Sequence, residues 1–137
     1  MSTKRRPLIV QKYGGSSVAS LERIRGCAQR CLATAAGGAR LVVVVSAMAG
    51  ETNRLIALAN ALVQPEADGG ARKGPYVAPA KHSPEHAREL DQLVATGEVV
   101  SAALLAMAIQ DAGGTALSLV GAQLGLHTDR SHGRARI

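Results

Sequence analysis

A lysine, two glycines and two hydroxyls stand together near the start of the chain, in the run L-I-V-Q-K-Y-G-G-S-S of residues 8–17. The apolar part is typical of a buried strand, and Lys12 lies at its end, just before Gly14 and Gly15. Glycines between a strand and a helix let the backbone turn sharply and direct bare N–H groups to one point. With a helix dipole behind it, such a turn suits a phosphate, and Lys12 would add a full positive charge. The alternative is an ordinary connection with a solvated lysine, because here the lysine precedes the glycines, unlike in G-x-x-x-x-G-K-[ST].

Three further polar residues fall where a parallel sheet would bring them to one edge. Ser46 follows the apolar run of residues 41–45, while Thr52 and Glu98 each begin a predicted helix. Ligands of open α/β sheets bind outside the carboxyl ends of the strands. A lysine, a glycine turn, two hydroxyls and a carboxylate at that edge would suit a phosphate donor beside an amine-bearing acceptor. Each residue also has a structural alternative, respectively a turn residue, a helix cap and an acid favoured by the helix dipole.

The segments that would position these residues alternate between strand and helix. The apolar runs predict buried strands at residues 8–12, 41–45 and 116–120. Capping residues and breakers predict four helices, which run from Ser17 or Ser20 to about residue 36, from Glu51 to Pro65, from Ser83 to Thr96, and from Glu98 to Gly113. This order is typical of right-handed βαβ units in an α/β fold with a mainly parallel sheet. Residues 41–45 are apolar on both faces, which predicts helices above and below this strand.

Apolar spacing also predicts which faces of the later elements lie in the core. The inward stripes would be Leu55, Leu58, Ala59 and Leu62 on the second helix, and Val100, Ala103, Leu104 and Met107 on the last one. Residues 126–128 would begin an edge strand or hairpin. Residues 65–83 hold glycines and prolines without periodicity, which favours a surface insertion over a functional lid.

Composition narrows the class of protein. A chain of 137 residues fits one domain with a core of its own. Its formal net charge of +6 would attract nucleic acid, an acidic surface or a polyanionic small ligand such as a nucleotide. Tyr13 and Tyr76 are the only aromatic residues in the sequence, so it offers no stacking platform for single strands. We therefore expect no nucleic-acid partner.

Cys27 and Cys31 lie four residues apart on one face of the first predicted helix. No further ligands stand at metal-binding spacing, so they are interpreted as small core residues and no metal site is expected. The absence of a disulfide pattern favours a reducing compartment, and we expect a cytoplasmic protein. The first apolar run stops at Gln11, too early for a signal peptide, and no predicted helix is long enough to span a bilayer. No membrane partner is expected.

Several stretches, in order, resemble the aspartate kinases of the amino-acid kinase family. They are K-Y-G-G-S-S-V from Lys12, V-V-V-V-S-A-M-A-G-E-T-N-R-L from Val42, E-L-D-Q-L-V-A-T-G-E up to Glu98, L-L-A-M-A-I from Leu104, and T-D-R-S-H-G-R-A-R-I at the end. Several motifs in the right order are far more specific than any one of them. Tyr13 and Ser16 stand where the family often has Phe and Thr, and Val99 stands where a polar residue is usual.

The resemblance implies a three-layer αβα sandwich with a mainly parallel sheet, and transfer of the γ-phosphate of ATP to the side chain of L-aspartate. That reaction begins the biosynthesis of lysine, threonine and methionine. By resemblance, the catalytic Lys12 would neutralise charge on the transferred group, and Mg²⁺ would arrive with the nucleotide. The ATP phosphates would be bound by Lys12, Tyr13, Gly14, Gly15 and Ser16. Aspartate would be held by Ser46 and Thr52, and Glu98 would pair with its α-ammonium.

The resemblance also implies that the chain is the N-terminal portion of one kinase domain. Residues 7–64 and 84–137 would match it, with 65–83 as the insertion, and longer members continue through the domain into regulatory ACT modules. The full-length parent would be a homo-oligomer, and the portion alone would be weakly active or inactive. The alternatives are a family member acting on glutamate, N-acetylglutamate or a nucleoside monophosphate, and a non-catalytic phosphate-binding fragment.

Overall fold

The structure, a computed structural model, describes residues 5–63 and 84–137. In order, the elements are β1 (Leu8–Tyr13), α1 (Leu21–Ala36), β2 (Arg40–Val45), α2 (Glu51–Val63), α3 (Pro84–Asp111) and a 3-10 turn (Gly121–Leu124). Strands β1 and β2 pair in parallel, in a register from Leu8 opposite Arg40 to Tyr13 opposite Val45. The predicted α/β class and the parallel pairing of the first two strands are confirmed. The predicted insertion at residues 65–83 lies outside the described residues.

Helix α1 begins and ends where the sequence predicts. The Ser20 hydroxyl accepts a hydrogen bond from the Arg23 N–H at 3.2 Å, which satisfies one of the free donors of the first turn. The chain leaves the helix at Gly37, and Gly38 adopts a φ of 87°, which a side chain would strain.

The core lies between one face of the sheet and helices α1 and α3. Its buried members are Tyr13, Val18, Ile24, Cys27, Ala28, Cys31, Leu105 and Ile109, and Leu41, Val43 and Val45 pack against them. Cys27 and Cys31 are free and buried, which confirms their interpretation as small core residues. The core therefore joins β1 to α1 and α3 over a long separation in sequence.

The opposite face of the sheet is exposed among the described residues. Val42 and Val44 are 47% and 48% exposed, and on β1 Leu8 and Val10 share this face. The expectation that β2 is covered above and below is therefore met only on the side of Val43 and Val45. The strand is apolar on both faces, yet helices α1 and α3 both pack on the same one.

Helix α3 is continuous, so the predicted break at Thr96-Gly97-Glu98 is wrong. A glycine inside a helix costs stability but does not end it. Gly97 faces the loop after β2, because a Cβ placed on it would lie 2.9 Å from the Cβ of Ala47. The buried stripe repeats every four residues from there, through Ser101, Leu105 and Ile109.

The predicted inward faces of α3 and α2 are wrong at several positions. Val100 and Met107 are exposed, because the phase of α3 is set by Gly97 against Ala47 and not by the first apolar residue after the supposed break. On α2, Leu55 is buried, whereas Leu58 and Leu62 are exposed. Helix α2 packs mainly against α3, and this contact covers only a narrow stripe of it.

Because α3 is continuous, its residues Glu85–Asp111 are long and apolar enough to cross a membrane, by length and composition only. The expectation that no helix reaches that length is therefore wrong. Core helices of soluble proteins pass the same test, and buried Leu105 and Ile109 place one face of α3 in the core described above.

Residues 116–120 do not form the predicted third strand. The Ala116 carbonyl accepts from the Gln110 side chain at 2.9 Å, and the Val120 N–H donates to the Gln123 side chain at 2.9 Å. The Val120 carbonyl accepts from the Gln123 N–H, which begins the 3-10 turn. The backbone groups at the two ends of the segment are thus engaged locally and not in a ladder. The predicted strand or hairpin at 126–128 is also not formed, because the Leu126 N–H closes the same turn on Gly121.

Candidate functional site

The turn after β1 presents open backbone donors beside a lysine. The Ser17 N–H donates to the Gly14 carbonyl at 2.9 Å, which closes a turn over residues 14–17. Within the described residues, no protein acceptor occupies the N–H groups of Gly14, Gly15 and Ser16. The Lys12 Nζ lies 3.6 Å from where a Cβ on Gly14 would sit, so the ammonium folds over this turn. Open N–H groups under an ammonium suit a phosphate.

Arg23 braces the same turn, a role that the sequence analysis missed. Its guanidinium donates to the Ser16 carbonyl at 2.8 Å from the first turn of α1. A basic residue there is disfavoured by the helix dipole, so its presence was a signal that it has a partner. The bond fixes one peptide of the turn and adds a second positive charge near it.

Ala47, in the loop after β2, joins the turn to α3. Its carbonyl oxygen lies 2.9 Å from the position of a Cβ on Gly15, so the two backbones touch. Its N–H donates to Glu98 Oε1 at 3.2 Å. Its Cβ packs against Gly97, and the residue is buried. One residue thus contacts the glycine turn and the T-G-E sequence of α3.

Ser46 directly precedes Ala47 in the sequence, and Thr52 lies five residues after it. The Ser46 N–H donates to the Tyr13 carbonyl at 3.0 Å, directly before the glycine turn. Thr52 is the second residue of α2 and is half-buried. It follows Glu51, whose Cγ lies 3.5 Å from the position of a Cβ on Gly97. In the described part of the chain, neither hydroxyl has a recorded hydrogen bond, so both are open to a ligand.

Lys12, the glycine turn and Glu98 are therefore joined through a chain of short contacts. Lys12 lies against Gly14, the neighbouring Gly15 touches Ala47, and Ala47 is bonded to Glu98. This region lies at the carboxyl ends of both strands, where an open α/β sheet binds its ligands. The roles of these residues as ligands remain predictions.

The Tyr13 ring does not reach the turn. Tyr13 is buried, and its hydroxyl donates to Gln11 Oε1 at 2.9 Å and lies 3.9 Å from Cys31 Sγ. Burial, and then the hydrogen bond to Cys31, raise its pKa to about 12. Side chains alternate along a strand, so Tyr13 points to the core while Lys12 points to the other face. Tyr13 could contact a phosphate only through its backbone.

The carboxylates of Glu51 and Glu98 belong to residues with contacts in this region, and both have protein partners. Arg54 bonds to Glu51 through two nitrogens, at 2.7 and 2.8 Å, and this bond holds the Glu51 pKa below its usual value. Over residues 5–63 and 84–137, no group of three or more His, Cys, Asp or Glu could hold a metal ion. The turn thus fits a nucleotide phosphate, whereas no described residue is assigned to Mg²⁺, which would come with the nucleotide.

The family follows from the sequence as a whole. Residues 7–136 match the amino acid kinase family, and the chain belongs to that family.

Within it, the chain is similar to proteins named as aspartate kinases. It is 43% identical over 130 residues to aspartokinase 2 of Bacillus subtilis and 46% identical over 130 residues to an aspartate kinase of Pseudomonas fluorescens. Each alignment covers 95% of this chain and 27% of the relative, so the chain spans about a quarter of the length of these relatives. The crystal structure of aspartate kinase from Synechocystis matches with a TM-score of 0.67 and 44% identity, over 85% of this chain and 17% of that one.

Proposed function

We propose that this chain provides the phosphate-binding turn and part of the amino-acid site of an aspartate kinase. The reaction transfers the γ-phosphate of ATP to the side-chain carboxylate of L-aspartate and gives 4-phospho-L-aspartate. The observation that carries the proposal is the contact of Ala47 with both Gly15 and Glu98, since it joins a phosphate site to a carboxylate that can receive an amine. The names of the similar proteins support the choice of aspartate.

The phosphate side of the site works by charge and position. The Lys12 ammonium neutralises charge on the transferred phosphoryl group, and the N–H groups of Gly14, Gly15 and Ser16 donate to the phosphate oxygens. Phosphoryl transfer passes through a loose transition state with charge spread over these oxygens, so fixed donors contribute more than covalent chemistry. The bond from Arg23 to Ser16 keeps the turn in place before ATP arrives.

The acceptor side recognises an amino acid. Glu98 Oε1 already accepts the Ala47 N–H, and its second oxygen is the one that pairs with the α-ammonium of aspartate. The Ser46 and Thr52 hydroxyls donate to the aspartate carboxylates. Because the Ala47 peptide lies between Gly15 and Glu98, aspartate bound there would have a carboxylate within reach of the phosphoryl group.

By itself the 137-residue chain phosphorylates aspartate slowly or not at all. Among the described residues, Lys12 and one glycine turn bind the phosphoryl group. The charge spread over its oxygens in the transition state must be stabilised from several sides. Losing one well-placed donor commonly costs on the order of a hundredfold in rate. The alignment covers 27% of aspartokinase 2 of Bacillus subtilis, and the remaining groups belong to the unmatched length.

The two free thiols support a reducing compartment, the cytoplasm.

Binding of each substrate to the chain tests the proposal. Isothermal titration with Mg·ATP should show binding that Lys12→Ala weakens by about tenfold or more, because a hydrogen-bonded charge contributes roughly 1.5–3 kcal/mol. Arg40→Ala is the matched control, since Arg40 lies at the far end of the same sheet face and carries the same charge. L-aspartate should bind more tightly than succinate, which lacks the α-ammonium, and Glu98→Ala should abolish the difference. Equal losses of Mg·ATP affinity in Lys12→Ala and Arg40→Ala would show that ATP binds by general charge attraction and not at a specific phosphate site.

A further inference from the structure

We infer that Ala47 is a positioning residue that sets the distance between the phosphate turn and the aspartate site, and that Gly97 lacks a side chain so that Ala47 can take this place. The inference rests on the proposed function for its ligands. The contacts that carry it do not depend on that function.

Three groups of Ala47 are each engaged by a different part of the site. Its carbonyl oxygen touches Gly15 at a distance of 2.9 Å from the position of a Cβ. Its N–H is bonded to Glu98 Oε1 at 3.2 Å. Its own Cβ lies 2.9 Å from where a Cβ on Gly97 would be, and the residue is 4% exposed. A displacement of Ala47 must therefore move at least one of these contacts.

Gly15 and Gly97 let Ala47 lie close to both the phosphate turn and α3, because neither has a side chain. Carbon atoms pack best at about 3.5–4.0 Å, so a methyl group on Gly97 would force Ala47 or α3 to shift. At Gly97 the absence of a side chain has a packing reason, because Ala47 occupies the space that a Cβ would need. Gly26, in the middle of α1, shows the contrast, because a Cβ there would meet nothing within 4 Å.

The geometry separates two roles of Glu98. One oxygen holds the Ala47 N–H, which any acceptor of the same shape could do, including the amide oxygen of glutamine. The pairing with an α-ammonium needs the negative charge. Glu98→Gln should therefore keep Ala47 in place and lose aspartate affinity, whereas Gly97→Ala should displace Ala47 with every polar group of the site still present.

The experiment combines amide NMR of the ¹⁵N-labelled chain with titration of Mg·ATP and L-aspartate. Gly97→Ala should shift the amide signals of Ala47 and Gly15 and weaken aspartate binding by about tenfold to a hundredfold, the size of one lost hydrogen bond to a charged group. Glu98→Gln should leave the Gly15 amide signal near its original position, since Gly15 contacts Ala47 and not the changed side chain. Gly26→Ala is the control and should change neither signal nor affinity.

A compensating variant still tests the inference if Gly97→Ala only destabilises the fold. Ala47→Gly removes the methyl that the new one would meet, so the double variant with Gly97→Ala should recover the Gly15 amide signal and most of the aspartate affinity. No recovery in a folded double variant would overturn the spacer role, and so would an unmoved Gly15 signal in Gly97→Ala. If the original chain binds neither substrate, the proposed function fails, while the coupling of position 97 to the Gly15 amide is still decided by NMR.

Discussion

The backbone N–H of Ser46 donates to the carbonyl oxygen of Tyr13 at 3.0 Å, one residue beyond the end of β2. The parallel register of the two strands thus continues directly into the glycine turn. Ser46 is held by the sheet and not by a flexible loop, so the open hydroxyl of Ser46 and the open donors after Tyr13 keep a fixed separation. Such fixed separations are what positioning of two reactants requires.

Removing the brace on the turn should weaken nucleotide binding without changing the fold. In Arg23→Ala the Ser16 carbonyl loses its charged donor, so the turn gains freedom that binding must remove. We expect Mg·ATP affinity to fall about threefold to tenfold, within the range of one hydrogen bond to a charged group. Arg25→Ala removes an equal charge from the exposed surface of the same helix and should leave the affinity within experimental error. A larger effect from Arg25→Ala would contradict the brace.

Two glycine-to-alanine changes should move stability in opposite directions. At Gly114 a Cβ would clash with Leu32 and lie 2.8 Å from Ile109 Cγ2, so Gly114→Ala should cost about 1–3 kcal/mol by overpacking. At Gly26 the space is open, and Gly26→Ala should stabilise α1 by roughly 0.5–1 kcal/mol. Urea denaturation followed by circular dichroism measures both. A stabilised Gly114→Ala would show that the chain just after α3 does not pack against Leu32.

The two faces of β2 should respond differently to the same substitution. Val42 lies on the exposed face and Val43 packs against the core, and threonine keeps the branched shape of valine. Val43→Thr should cost about 1–3 kcal/mol, since a hydroxyl is brought into the core. Val42→Thr should change stability by less than about 0.5 kcal/mol and reduce binding of the dye ANS to the exposed face. Equal costs at the two positions would mean that the Val42 face is covered in solution.

Much of the fold was predictable because local signals decide it. Ser20 caps α1, glycines end it, and two apolar runs form the parallel pair, since capping and strand patterns need no distant partner. The continuity of α3 was not predictable. In the sequence a glycine is typical of a helix break, and the packing role of Gly97 is visible only in the structure, where Ala47 lies beside it. Residues 116–120 carry a strand pattern, but Gln110 and Gln123 engage their backbone groups.

The positions of the candidate residues were easier to predict than the contacts between them, and their roles as ligands stay predictions. Lys12, Ser46 and Thr52 stand at element ends, which the sequence marks, whereas Glu98, predicted at a helix start, lies inside α3. Ala47 is not marked in the sequence, because an alanine carries no chemical signal, and its importance lies in the backbone groups that Gly15 and Glu98 contact. The inclusion of Tyr13 came from motif position, whereas strand alternation already turned its ring to the core.

Stability should fall at high pH because of the buried Tyr13. Burial and the Cys31 hydrogen bond raise its pKa from 10.0 to about 12, so between these values the unfolded chain loses a proton that the folded chain keeps. The free energy of unfolding therefore decreases as pH rises through this interval. Burial also raises the pKa of Cys27 and Cys31 above 9.0, so the decline begins near that pH.

The matched variant for this pH dependence is Tyr13→Phe. It should cost about 1 kcal/mol at neutral pH through the lost bond to Gln11. It should also flatten the part of the stability curve that lies between the two pKa values of Tyr13, as measured by urea denaturation across the alkaline range. A decline of unchanged steepness in Tyr13→Phe would assign the effect to other groups.

The central claim is that this chain supplies the phosphate turn and aspartate site of an aspartate kinase, and a transplanted segment tests it most directly. The 130 residues aligned with aspartokinase 2 of Bacillus subtilis replace the corresponding part of that relative. Acyl phosphate formed from Mg·ATP and L-aspartate is then trapped with hydroxylamine. We predict turnover within about tenfold of the relative, and a further loss on the order of a hundredfold on Lys12→Ala. A folded, ATP-binding chimera without aspartate-dependent product, or one indifferent to Lys12→Ala, would contradict the account.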